Sequence, residues 1–182
     1  MPLFLKNDVL ILRGMEPEDL DFLYACENNP EVWHLSNTMA PYSKFVLKQY
    51  LENSHHDIYT NKQLRLIIAK KEAPEKALGA IDLFDFDPFH QRAGIGILIH
   101  NVEDRGKSYA DISLNLLIDY CFNYLKFHQV YCNIAADNRV SIKLFEKCGF
   151  TPCGTKKEWL NQSDGWQDEL MYQKLNPKIK AH

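Results

Sequence analysis

The sequence lacks any stretch approaching the ~20 consecutive apolar residues of a membrane span. Its aliphatic run Leu64–Ala69 is short and already contains Arg65. The opening, Met1 to Arg13, has no basic region leading into an apolar run and small residues, so nothing in it reads as a secretory leader. Positive charge is not in excess: 21 Lys and Arg stand against 24 Asp and Glu, for a net charge of −3 at neutral pH. A nucleic-acid binder needs a basic face to displace counterions, so that class is disfavoured. Glycine and proline, at 8 each, are too few for a fibrous or low-complexity chain. The cysteines (Cys26, Cys121, Cys132, Cys148 and Cys153) are odd in number and lack the paired spacing of a zinc site. His55-His56 reads as a solvated helix end. These absences predict a cytoplasmic chain with reduced thiols, no metal, and no membrane or nucleic-acid partner.

What remains is an ordinary globular composition. The 182 residues are 46% hydrophobic, 25% charged and 12% aromatic. That is enough to bury a core without staples, and it predicts a single domain over 1–182 with its core in about 9–176. Leu10-Ile11-Leu12 reads as a first strand, and Glu16-Pro17-Glu18-Asp19 opens a helix that Asn28-Asn29-Pro30 ends. Ser43 caps a second helix running to about Ser54. Strands follow at Leu64–Lys70, Ala77–Phe86 and Ala93–His100, the first two joined by a loop over Lys70–Lys76 that contains Pro74. Ala110, Leu114, Leu117, Ile118, Cys121, Phe122 and Leu125 repeat at the helical period, giving a helix from Gly106 to Leu125. Gln129–Ala135 is a strand. Asn138–Cys148 is a helix closed by Gly149, and Phe150–Lys157 and Trp166–Leu175 form a last pair of strands around the turn Asn161-Gln162-Ser163-Asp164-Gly165. Consecutive strands give an antiparallel meander, and the later strand–helix alternation gives a parallel crossover. The fold class is therefore α/β (α+β), a mixed, mostly antiparallel sheet flanked by helices.

The segment Asn101 to Ala110 carries the chemistry. A strand, a glycine-containing loop and a helix N-terminus together present free N–H groups and the positive end of a helix dipole, which suits an anion. Gly106-Lys107-Ser108 matches the end of the P-loop pattern G-x-x-x-x-G-K-S/T. Position 101 is Asn rather than Gly, however, and Glu103 and Asp104 put carboxylates where phosphates would lie. Arg105-Gly106-Lys107-Ser108-Tyr109-Ala110 instead resembles the coenzyme A loop Q/R-x-x-G-x-G/A of the GNAT superfamily of N-acetyltransferases, with Ser108 in place of the central glycine. Asn138-Arg139-Val140-Ser141-Ile142-Lys143-Leu144-Phe145-Glu146-Lys147-Cys148-Gly149-Phe150 resembles that superfamily's second signature. Leu12-Arg13 to Leu20 and Asn29-Pro30-Glu31-Val32 resemble its opening. Within the superfamily the chain is most similar to the spermidine and ribosomal-protein N-acetyltransferases.

The resemblance implies a GNAT-like fold whose parallel strands splay at the coenzyme site. It implies an acetyltransferase that passes acetyl from acetyl-CoA to a primary amine by direct attack in a ternary complex, without a metal. A polyamine-like small molecule is the favoured acceptor. A protein N-terminus, or a non-catalytic acyl-CoA-binding role, is the alternative. Backbone N–H groups of Arg105, Gly106, Lys107, Ser108, Tyr109 and Ala110 would take the pyrophosphate. The backbone of Ile97, Leu98 and Ile99 would pair with pantetheine, an N–H near Leu98 would polarise the thioester carbonyl, and Asn138 would add a side-chain contact. Phe145, counted among the coenzyme-binding positions, stands where the polyamine branch has a Tyr that protonates the leaving thiolate. Gly94 stands where many relatives have a Glu. An alkyl ammonium has a pKa near ~10, so its neutral form costs about 4 kcal/mol at pH 7. Asp82 and Asp85 are the candidate bases, three apart and thus on opposite strand faces unless a bulge intervenes; Ser141 and Tyr131 are candidate donors. Glu31 and Asp87 join Asp82 and Asp85 as carboxylates able to gather a polyamine, and Trp33 and Tyr42 flank the acceptor side. A homodimer through the C-terminal strands is also implied.

Overall fold

The computed structural model describes residues 3–30, 33, 39–54, 58–162 and 165–179. Glu31, Val32, His55, His56, Ser163 and Asp164, named above, lie outside them. The chain runs β1 (Leu10–Arg13), α1 (Leu20–Glu27), α2 (Lys44–Glu52), the short α3 (Ile58–Asn61), β2 (Leu64–Lys70), β3 (Ala73–Asp87), β4 (Arg92–Ile99), α4 (Tyr109–Asp119), β5 (Gln129–Ala135), α5 (Arg139–Lys147), β6 (Thr151–Gln162) and β7 (Gly165–Leu175). The strands form one sheet in the order β1-β2-β3-β4-β5-β7-β6. Among the described residues only the β4–β5 pairing is parallel.

Local chemistry sets most boundaries. The Ser43 hydroxyl accepts from Val46 N at 3.2 Å, and the Asn138 side chain accepts from Ser141 N at 3.1 Å, so both predicted caps act as caps. Gly149 ends α5 at φ +84°, a conformation that favours glycine. Three boundaries differ from the sequence reading. The loop expected over Lys70–Lys76 is a tight turn at Lys71-Glu72, and Pro74 lies within β3. It is tolerated there because the β2–β3 register slips between Ala69↔Ala77 and Lys70↔Ala73, so Pro74 owes no ladder hydrogen bond. The long helix begins at Tyr109 rather than Gly106, and its end widens into a π turn over Tyr120–Tyr124. β6 reaches Gln162 instead of stopping near Lys157, because Glu158 takes φ +47° and a bulge between Lys156 and Leu160 lets pairing resume.

Alternation along the strands creates two unequal faces. Leu66, Ile68, Ile81, Leu83, Ile95, Val130 and Cys132 point to one face and pack against Leu114, Leu117, Ile118 and Cys121 of α4. A smaller cluster on the opposite face joins Leu23 of α1 to Leu47 and Leu51 of α2. β1 is tied to the start of α1 by a buried ion pair. Asp19, 3% exposed, accepts from Arg13 Nη1 at 2.7 Å and Nη2 at 2.8 Å, and from Glu16 N at 2.8 Å. Asp19→Ala removes both carboxylate bonds to the guanidinium, which keeps the carbonyls of Gly14 and Pro74, and leaves the Glu16 N–H unpaired. It should lower unfolding stability by about 2 kcal/mol in urea titration, below the ~3–5 kcal/mol of a fully buried pair because Arg13 keeps some solvent and two carbonyl partners.

Candidate active site

β4 and β5 pair through only three positions, Arg92↔Gln129, Ala93↔Val130 and Gly94↔Tyr131. Beyond them each strand follows its other neighbour. Ile97, Leu98 and Ile99 stay registered with Ile81, Ala80 and Gly79 of β3, while Asn133, Ile134 and Ala135 follow Met171, Leu170 and Glu169 of β7. The strands part, and among the described residues the facing edge of β4 has no strand partner beyond Gly94. α4 and α5 close the gap. The resulting cleft holds about 700 Å³ and is lined by Ile97, Leu98 and Ile99, by the loop at Arg105, Gly106 and Ser108, by Tyr109 and Ala110, and by Asn138 and Ser141.

The loop is wound through left-handed conformations. Gly106 and Ser108 take φ values of +75° and +63°, and Ser108 sits at the cap position of α4 without a side-chain capping bond. Gly106 is suited to that conformation; Ser108 is strained in it. Arg105 spends its guanidinium on the end of β4, donating from Nε to Ile99 O and from Nη2 to His100 O, each at 3.2 Å. Lys107 is paired with Asp104 at 3.3 Å and does not line the cleft. Lys147, on the cleft wall, is paired with Asp111 of α4. Asp104 is part of the same wall; burial pushes its carboxyl up, but hydrogen bonds from Asn101 and Lys107 outweigh this and leave its pKa lowered.

The candidate catalytic residues are dispersed. Ser141 is on the cleft wall, one helical turn before Phe145. Phe145 is not on that wall: it is 4% exposed and packs edge-on against Phe150 with ring centroids 5.0 Å apart. That is a correction to its place among the coenzyme-binding positions, and it follows from α5 turning its apolar stripe into the core. Asp82 and Asp85 lie outside the cleft lining, on the sheet face that carries α1 and α2. Both oxygens of Asp82 accept from Arg65, at 2.7 and 3.0 Å, and Arg65 Nη1 reaches Glu27 at 2.5 Å. This network locks β2, β3 and α1 together. A bulge does intervene between Phe84 and Asp87. Asp85 takes φ +49°, and the Tyr131 hydroxyl donates to its Oδ2 at 3.4 Å.

Gly94 is explained by its neighbour. A β-carbon there would lie 2.3 Å from the Phe84 ring, which occupies the space a longer side chain would need. Sequence reading did not single out Phe84, because the pair is separated in the chain and only the β3–β4 register joins it. On the acceptor side, Trp33 Nε1 donates to Glu27 O at 2.8 Å, and Tyr42 exchanges two hydrogen bonds with the Asn28 side chain. The cysteines are free thiols. Burial raises the Cys26 thiol to about 12 and shifts Cys121 and Cys132 upward as well, so none of these three is a thiolate near neutral pH. Among the described residues no three His, Cys, Asp or Glu side chains gather as metal ligands, and no helix is long and apolar enough to cross a membrane.

A mixed sheet parted at one parallel pair, with a left-handed loop leading into a helix at the opening, is the architecture of an acyltransferase. The acetyltransferase (GNAT) domain family matches residues 9–151, and the chain belongs to that family. A spermidine N(1)-acetyltransferase of Vibrio cholerae serotype O1 is 30% identical over 165 residues, covering 89% of this chain and 90% of that protein. A crystal structure of spermidine N-acetyltransferase from Vibrio cholerae in complex with CoA and spermine is similar at a TM-score of 0.81 and 28% identity, covering 94% of this chain and 98% of that one. A dodecameric structure of the Vibrio cholerae enzyme is similar at a TM-score of 0.76 and 28% identity, covering 94% and 96%.

Ser108→Gly should relieve the left-handed strain. It should raise stability by about 1 kcal/mol, seen as a higher thermal midpoint, while Gly106→Ala should lower it by a similar amount.

Proposed function

We propose that the protein transfers acetyl from acetyl-CoA to a primary amine of a polyamine by direct attack. The observation that carries this reading is the cleft opened by the parting of β4 and β5 at the N-terminus of α4. The relatives' activity and the CoA–spermine complex of one of them support it. Acetyl-CoA fits the residues present. The pantetheine arm would lie along Ile97–Ile99 as an added strand, and an N–H near Leu98 would meet the thioester carbonyl. The pyrophosphate would meet backbone N–H groups of the 105–110 loop at the positive end of α4, with Asn138 contacting the arm. Ser141 takes the proton-donor role that Phe145 cannot fill. Asp82, held by Arg65, contributes field rather than proton transfer, so the ammonium proton leaves through water toward Asp85. The buried, protonated cysteines favour direct transfer over a covalent acyl-enzyme. Free thiols also favour a cytoplasmic location. The dodecameric relative favours self-association, for which the exposed Trp159 and Trp166 on the β6–β7 hairpin offer a surface.

The reading is tested by calorimetric titration of acetyl-CoA, then thiol release with spermidine, spermine, simple diamines and short peptides. Turnover of polyamines is the expected result. Turnover of peptides alone would reassign the acceptor, and binding without turnover would favour the non-catalytic acyl-CoA binder to which Gly94 and Phe145 point. Failure to bind would remove the reading. Ser141→Ala should lower kcat about tenfold at unchanged acetyl-CoA affinity, short of the ~10²–10⁴-fold of a dedicated general acid, because coenzyme A is itself an acceptable leaving group. Asp111→Asn removes a carboxylate from the cleft wall and frees Lys147. It should tighten acetyl-CoA binding about threefold at low salt, with the gap closing as salt rises.

A further inference from the structure

Of the charged side chains on the cleft wall, all but one are held by partners within the protein. Arg105 donates to the carbonyls of Ile99 and His100, and Lys147 pairs with Asp111. Asp104 accepts from Asn101 and Lys107, and Asp137 accepts from Gln167 Nε2 at 3.3 Å. The exception is Lys143, which is exposed and pairs with no carboxylate among the described residues. Its own helix offers a candidate at i+3, Glu146, but that carboxylate accepts from the Tyr172 hydroxyl at 3.1 Å.

The position of Lys143 indicates what its charge is free to meet. Val140, Lys143, Leu144 and Lys147 recur at spacings of three and four along α5 and form one stripe on the cleft wall. The Lys147–Asp111 pair holds the end of that stripe against the first turn of α4, where the pyrophosphate would be bound. Lys143 is one turn back from it, about 6 Å along the axis at ~1.5 Å per residue. Val140, 81% exposed, precedes Lys143 on the same wall, so the stripe is open rather than packed on protein. The pyrophosphate has the N–H groups and the positive end of α4. A second anionic group, one sugar removed from the pyrophosphate, suits the free lysine, and coenzyme A carries one in the phosphate on its ribose 3′-oxygen. A phosphate monoester holds about −1.5 to −2 charges at pH 7. We propose that Lys143 binds the 3′-phosphate of the coenzyme and thereby selects the 3′-phosphorylated form over the form that lacks it. This rests on the acetyl-transfer reading above and adds to it a choice of coenzyme made by one side chain of this chain.

The test is the ratio of the dissociation constants of 3′-dephospho-CoA and CoA, from calorimetric titrations at low salt of the wild type, Lys143→Gln, Lys143→Arg and Lys147→Gln. Lys143 is exposed and glutamine is as good a helix former as lysine, so Lys143→Gln keeps α5. The wild type should bind CoA about fivefold more tightly than 3′-dephospho-CoA, the scale of one exposed ion pair, and the margin should shrink as salt rises. Lys143→Gln should bring the ratio to about one by weakening CoA alone, with 3′-dephospho-CoA held at its wild-type affinity, and Lys143→Arg should keep the ratio. Lys147→Gln should also keep it, because that ammonium is turned to Asp111. A wild type indifferent to the 3′-phosphate, a Lys143→Gln variant that weakens both forms alike, or a ratio lost in Lys147→Gln instead overturns the inference and leaves the acetyl-transfer reading standing. A wild type that binds neither form overturns both.

Discussion

The early parting of β4 and β5 is the constraint on which the rest depends. Each strand keeps its outer neighbour, β3 for one and β7 for the other, and gives up the inner one after Gly94 and Tyr131. Backbone groups left without a partner are costly when buried. They are tolerable where they face an open cleft able to receive another extended molecule. The same separation lets the N-termini of α4 and α5 reach the gap from its two sides.

Electrostatically the cleft is restrained. Its wall carries Arg105, Lys143 and Lys147 alongside Asp104, Asp111 and Asp137. Arg105 is turned onto the carbonyls of Ile99 and His100 at the end of β4, and Lys147 is paired across to α4. Two of the three cations on the wall are thus committed to protein partners. Oriented amides are less sensitive to salt than exposed lysines, and they recognise shape as well as sign.

The cleft was readable from the sequence because its parts are local. The 138–149 helix carries its own cap, glycine and apolar stripe, the 105–110 loop carries Gly106, and the meander and crossover followed from the element order. The acceptor side was not readable to the same depth. Its contacts, Glu27 to Arg65 to Asp82 and Phe84 to Gly94 to Tyr131, join residues far apart in sequence and exist only once the strand register is set. The bulge that turns Asp85 toward Tyr131 left no glycine to announce it, because the aspartate itself takes the left-handed conformation. Pro74 and Glu158 were misjudged for a related reason: each interrupts pairing locally, and β3 and β6 continue past it.

The Phe84–Gly94 contact also limits how this sequence can change. A side chain at position 94 requires the half-buried ring at 84 to swing aside, since in their present places the two would claim the same volume. A ring that swings aside gives up its packing over Gly94 and Gly96 of β4. The two positions are therefore coupled, and a change at one alters what the other tolerates.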